Sequence, residues 1–371
     1  MFKPFRAFSG AGKAVAGGPD PETFTPSHLF AAGPAGHWQG GHDPAAGRLS
    51  LDSAGTVPAI LPDQPVGLVR RLVGSVNASQ ATALSRPTLA RWPKGGRRNV
   101  VPASGVGAAP GLIGSGQPGA LPTGWTSSAG REVIAVEDDI SVIRFSGTTT
   151  GAFFINLHGN TSVAASDGQA WVSSFDCELL DARNVQQLAI QQSSRVAGGG
   201  NKSGGMVTPL PSSGRSRVIT GPETFLDSQG PVGSGPVAHI LTYLRFTAAT
   251  ADWSFTIRAG KVQIEKAPLV SPYQHVAAAN DVTETGNPEV WYLWSDGGDS
   301  LDATPVPAGT YGLAWVDVLG EMTVSSVTSD GTTPVDLLRA ERQADVILRQ
   351  GTFTSAEEAQ IRSYWAGRYA A

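Results

Sequence analysis

WSFTIRAGKVQIEKAPLVSPYQHV, residues 253–276, is the stretch whose pattern decides the fold. From Ser254 to Ile257 polar and apolar residues alternate, so Phe255 and Ile257 share one face while Thr256 and Arg258 share the other. Ala259-Gly260 interrupts the run. The alternation resumes over residues 261–266, with Val262 and Ile264 facing inward. Strict period-two patterning marks half-buried strands. Pro268 and Pro272 end any ladder there, because proline has no N–H to contribute. The stretch predicts a pair of strands closing a sandwich or barrel.

Upstream of this stretch the same signature recurs. Residues 132–136, 141–145, 152–157, 170–180, 185–191 and 237–246 read as strands separated by turn signals. Seven or more strands at that spacing predict two antiparallel sheets. In residues 171–180 the alternation puts Cys177 on a face shared with Trp171, Phe175 and Leu179, so Cys177 is expected to be a buried small hydrophobe. The composition agrees with an all-β chain: 46 glycines and 26 prolines in 371 residues call for many turns and short elements.

Charge and cysteine content exclude several functions. Charged residues make up 16% and the net charge is −4, which argues against nucleic acid as the partner. A single cysteine forbids an intramolecular disulfide framework and cysteine-based zinc sites. No apolar run reaches the length of a membrane span, and residues 7–18 are too rich in Gly and Ala for the apolar core of a signal peptide.

The motifs LPTGW (121–125), RFSGT (144–148), GQAWVSSFDCEL (168–179), YLRFT (243–247) and FTIRAGKVQIE (255–265), followed by SPY (271–273), resemble in their order the jelly-roll, carbohydrate-binding-module-like domains of phage and gene-transfer-agent surface proteins. The resemblance spans residues 97–276 and its closing motif is the most specific part. Nearer the N-terminus, Trp38, Asp43-Pro44 and the segments 52–58, 64–67 and 77–87 resemble a module found at the start of tail-fibre and spike-like proteins. These resemblances imply a virion surface protein made in the host cytoplasm, of tail-fibre or head-spike type, that binds host cell-surface polysaccharide and other virion proteins.

Four segments follow from this reading. Residues 1–28 form an N-terminal extended arm, 29–99 an attachment module, 100–279 the jelly roll, and 280–371 a small C-terminal β-rich module. The arm is too rich in Gly, Pro and Ala to fold alone. It reads either as a tail or as a segment that orders against another virion protein through Phe2, Phe5 and Phe8, and its aromatics favour the second. The basic run KGGRRN (94–99) reads as a solvated hinge. In the C-terminal module residues 289–294, 309–318 and 321–327 are strand-like, and 334–350 is ambiguous between helix and strand. Thr354-Ser-Ala-Glu357 has capping-box spacing, with Ile361, Tyr364, Trp365 and Arg368 on one face of the helix it opens.

Chemical constellations are sparse. No nucleophile elbow, zincin, phosphate-loop or EF-hand motif occurs, so no enzyme and no cofactor is expected. His37 and His42 read as loop-surface residues. The carboxylates Glu137-Asp138-Asp139 and Asp296, Asp299 and Asp302 read as solvated turns, with structural calcium as the alternative. Sugar rings stack on aromatic faces. Trp125 and Trp171 sit in core-like patterns, whereas Trp253 follows the turn at 248–252 and Tyr243 carries a hydroxyl, so these two are the carbohydrate-binding candidates. In the run Trp291–Trp294 both faces are apolar and both need covering. Apolar edges and low charge point to a homo-oligomer, a trimer or pentamer. Two other functions compete: a structural spike-base or adaptor joining a fibre to capsid or tail, and a polysaccharide depolymerase.

Overall fold

A computed structural model describes residues 24–94, 96–231 and 235–369. The arm's Phe2, Phe5 and Phe8 lie outside the described residues. The chain divides into two units, one spanning Ala90–Val290, the other drawn from the residues before and after it.

In the central unit eight strands set the architecture: β1 (Ile140–Gly147), β2 (Gly151–Asn156), β3 (Ala170–Arg183), β4 (Val185–Arg195), β5 (Asn201–Pro209), β6 (Ser216–Thr224), β7 (His239–Ala248) and β8 (Trp253–Glu265). One sheet has the order β6-β3-β8-β1, extended past β1 by Gly130–Glu137 and Gly111–Leu112. The other has the order β5-β4-β7-β2, extended past β2 by Thr126–Ser127. All these pairings are antiparallel. The chain crosses between sheets so that β1, β3, β6 and β8 fall in one and β2, β4, β5 and β7 in the other, which is the strand order of a jelly roll. The all-β expectation and the central jelly roll both hold.

Alternation explains the core. Ile143 and Phe145, Phe175 and Cys177, Ile240, Leu244 and Phe246, and Phe255 and Ile257 point into one apolar cluster between the sheets. Cys177 has no exposed surface there, and burial pushes its thiol up to about 12. The 253–265 stretch is one strand, not two. It carries a bulge where its register with β3 shifts, and Lys261 takes φ 51°. Inward residues are odd-numbered before the bulge (Trp253, Phe255, Ile257, Ala259) and even-numbered after it (Val262, Ile264). One inserted residue moves every later side chain across the sheet, and the bulge restores the apolar face. Gly260 leaves room for the approach of Asp139, whose carbonyl oxygen would lie 1.9 Å from a Cβ.

The KGGRRN segment is not a free hinge. Arg98 pairs with Glu284 at 2.5 Å, Arg97 donates to the carbonyls of Asn99 and Val101, and Asn99 is fully buried.

The other unit corrects the division into separate N- and C-terminal modules, because strands from both ends of the chain share one fold. Gly36–Trp38 pairs with the strand Arg342–Gln350, bringing Trp38 opposite Ile347, and Ala78–Ser79 pairs with Asp302–Ala303. Residues Val66, Val69 and Ala78 share a core with Leu301, Leu313, Val346 and Leu348. Neither segment alone could bury this face. The ambiguous 334–350 region resolves as two strands, Val335–Asp336 and Arg342–Gln350, the second buried from Gln343 to Leu348. Its Asp345 is completely buried and accepts hydrogen bonds from the indole N–H groups of Trp38 and Trp365, each at 3.1 Å. Burial raises its pKa. The helix Ser355–Tyr369 opens with the expected capping box, Thr354 N donating to Glu357 and Glu357 N donating to Thr354 Oγ1, and it buries Ile361, Trp365 and Tyr369. Phe24 and Pro26 are buried as well, so the described end of the expected arm is packed, as are Leu29 and Phe30 just after it.

Candidate functional site

Trp253 is not a sugar platform. It is 1% exposed, packed among Phe153, Phe246 and Phe255, with its indole N–H donating to the Thr149 carbonyl at 2.8 Å. The turn before it does not lift the ring toward solvent, because Trp253 is the first inward residue of β8. It lies over Gly147 of β1, where a Cβ would come within 2.5 Å of the ring.

Tyr243, the second candidate, lies on the opposite face of β7 and does line a cleft of about 600 Å³. Only 6% of it is exposed, so it forms the floor rather than a free stacking surface. The open ring is Phe154, 49% exposed, which meets Tyr243 edge-on with centroids 5.2 Å apart at 86°. Burial raises the Tyr243 phenol's pKa, opposed by the neighbouring charge of Arg195.

Sheet geometry builds the rest. Asn156 of β2 and Gln191 of β4 both stand directly opposite Tyr243 of β7, and Phe154 stands opposite Arg245. Since strand side chains alternate, Phe154, Asn156, Tyr243 and Arg245 all emerge on the outer face while Phe153, Ile155, Leu244 and Phe246 fill the core. Asn156 Nδ2 donates to Thr126 Oγ1 at 3.1 Å and to Asn160 Oδ1 at 3.0 Å, which fixes both amides at the rim. Arg195, at the end of β4, lies with its guanidinium 5.9 Å from the Tyr243 ring centre, and Asn201 closes that side.

The loop carrying Asn160 is held by His158, which is 1% exposed. The backbone N–H of Thr242 donates to His158 Nε2 at 2.9 Å, so that nitrogen carries no proton and Nδ1–H faces the Gly159 carbonyl at 3.0 Å and Ser162 Oγ at 2.9 Å. Burial lowers its pKa to about 4, countered by the Gly159 carbonyl and reinforced by Arg195.

No Asp or Glu lines this cleft. It offers one exposed ring, amide and hydroxyl groups and a guanidinium, which suits ring stacking and hydrogen bonding to hydroxyls. It holds no carboxylate pair of the kind glycosidic hydrolysis uses.

A second cleft of about 600 Å³ in the other unit is bordered by Trp294 and the carboxylates Asp296, Asp299 and Asp336. These serve the local backbone: Asp296 accepts from Gly298 N, Asp299 from Asp296 N, and Asp336 from Leu301 N and Leu338 N. In the 137–139 run, Glu137 pairs with Arg258, and Asp139 accepts from the Tyr273 hydroxyl and contacts His275 Nδ1. Among the described residues no three His, Cys, Asp or Glu groups converge as a metal site.

His37 and His42 are not on the surface. Both are buried, and burial lowers their pKa values to about 4 and about 3.

Phe154, Arg195, Asn156, Asn160 and Asn201 were not singled out by sequence. A signal existed for Phe154: in Gly151–Asn156 the inward residues Phe153 and Ile155 leave Phe154 and Asn156 outward.

No family model and no curated protein matches the chain. Among solved structures, the tripod from the baseplate of bacteriophage Tuc2009 aligns over 72% of this chain and 98% of its own, at 13% identity and a TM-score of 0.30. A likeness at that score carries no conclusion about fold or function. Among the described residues no helix is long and apolar enough to cross a membrane.

Proposed function

We propose that this chain is a virion surface protein, a fibre or spike component of a phage or phage-derived gene transfer agent, whose jelly roll binds host cell-surface polysaccharide through the Phe154–Tyr243 cleft. The observation that carries the binding role is that cleft: a half-exposed phenylalanine over a buried tyrosine, flanked by Asn156, Asn160 and Asn201, with no carboxylate in the lining. The virion assignment rests on the resemblance of residues 29–99 and 97–276 to phage surface modules. A lining without an acid–base pair supports binding rather than cleavage as the role of this cleft. Affinity per site is expected to be weak, about millimolar to micromolar. Several copies in a homo-oligomer would multiply it without new contacts.

The test is binding of the purified full chain to capsular and surface polysaccharides, immobilised and in solution, beside its Phe154→Ala variant. Saturable binding that Phe154→Ala abolishes at an unchanged melting temperature supports the reading. Equal binding by the variant removes the cleft from recognition. No binding to any surface polysaccharide leaves the adaptor role in its place.

A further inference from the structure

The cleft's charge is more specific than its shape. Arg195 is half-buried, and its Nε is shielded from solvent with no hydrogen-bond partner. Its guanidinium lies over the face of Tyr243. Arg245 emerges two residues along on the same face, and among the described residues neither arginine has an ion-pair partner. Five other arginines of the same unit do meet carboxylates: Arg91 meets Asp281, Arg98 meets Glu284, Arg144 meets Glu132, Arg217 meets Asp176 and Arg258 meets Glu178.

A guanidinium taken partly out of water without a counter-charge is costly, and burial lowers the pKa of Arg195. The cost is offset when an anion arrives. A planar carboxylate accepts two parallel N–H bonds from the guanidinium fork, a geometry that arginine supplies and lysine does not. The chain as a whole carries −4, so a polyanion gains nothing from the overall field and any attraction has to be local.

We infer that the cleft takes a carboxylate-bearing polysaccharide, with one sugar ring on Phe154 and the carboxylate of the same or the adjacent residue on Arg195. This deepens the proposed glycan-binding role and rests on it. Arg245, beside Phe154, lies on the path of the next acidic residue along the chain, and the three asparagines serve hydroxyls.

The experiment is affinity electrophoresis of the full chain through gels containing polygalacturonate, alginate or hyaluronan. Each is paired with its carboxyl-reduced, neutral derivative, and dextran sulfate serves as a charge control. Retardation by at least one acidic polymer, lost on carboxyl reduction, is the expected result. Arg195→Gln should weaken that binding about tenfold or more, as loss of a charge-assisted bidentate pair does. Arg195→Lys should recover only part of it, and both variants should melt with the parent.

Equal binding of the reduced and acidic polymers overturns the inference while leaving the glycan-binding reading intact. Dextran sulfate binding as tightly as the polyuronates, with Phe154→Ala without effect, reduces the interaction to diffuse charge and overturns it. Failure of the whole acidic panel also overturns it, and binding to neutral polymers in the same assay then decides whether the glycan-binding reading survives.

Discussion

Phe153 and Phe154 are consecutive residues of one strand and have opposite roles. Phe153 stacks on Phe246 at 5.3 Å and lies tilted against Trp253 at 5.1 Å inside the sandwich, whereas Phe154 stands half-exposed over Tyr243 on the outer face. The inner rings pack on one another. The outer pair is bordered by amides and arginines. Residue type does not separate a core aromatic from a binding aromatic here. Side-chain parity along the strand does, together with what the neighbouring strands place beside each ring.

The sharpest way to break that contrast is at Trp253. Trp253→Ala should destabilise the jelly roll by about 3–5 kcal/mol, the range for truncating a buried large aromatic, measured as a fall in the urea midpoint. A loss below 1 kcal/mol would place Trp253 outside the core and reopen its claim as a sugar platform.

Next is His158, which ties the outer-face loop to β7. Its pKa falls from 6.5 to about 4 on folding, so between those values the unfolded chain binds a proton that the folded chain refuses. Its contribution is therefore fully present above pH 6.5 and is lost as pH falls through about 4. The full effect for one such histidine is about 3 kcal/mol. Urea unfolding followed across this window should show stability falling with pH, and His158→Gln should flatten part of that slope. The buried His37 and His42 add slope of the same sign from the other unit. An unchanged slope in His158→Gln would mean that the imidazole is already solvated.

Gly147→Ala probes the inner face from the opposite strand. The added methyl would lie 2.5 Å from Trp253 Cζ2 and 2.8 Å from Cε2. Overpacking of that kind costs about 1–3 kcal/mol, read from thermal melts, and a neutral substitution would show the indole free to shift.

The smallest stability effect belongs to the outer face. Phe154→Ala should change stability by about 1 kcal/mol or less, as surface substitutions do, while polysaccharide binding disappears. A stability loss matching that of Trp253→Ala would make Phe154 a core residue and erase the difference between the faces.

Much of the fold was legible because it is local. Period-two alternation identified β1, β2, β3, β4, β7 and β8 within a few residues, placed Cys177 inside, and the Thr354–Glu357 spacing announced the terminal helix. The bulge in β8 was written there as well, in the shift of inward residues from odd to even numbers across Gly260-Lys261. Reading that shift as a break between two strands missed its meaning.

Two strands left no such trace. Asn201–Pro209 and Ser216–Thr224 contain Gly204, Gly205 and Pro222 and lie at the edges of their sheets, where glycine and proline are tolerated and alternation is not enforced. Arg195 of the cleft was equally silent, since an arginine on a strand surface looks the same in sequence with or without a carboxylate across from it.

The sequence by itself determined the all-β class and six of the eight jelly-roll strands, because a strand's two faces follow from spacing alone. Tertiary structure decided that the two ends of the chain share one core, that Trp253 is sealed inside the jelly roll, and that Arg195 is left without a counter-charge. Those outcomes depend on partners far away along the chain, such as Trp38 and Asp345 or Gly147 and Trp253. Burial and charge pairing are set by which distant strands come together, and no local pattern records that.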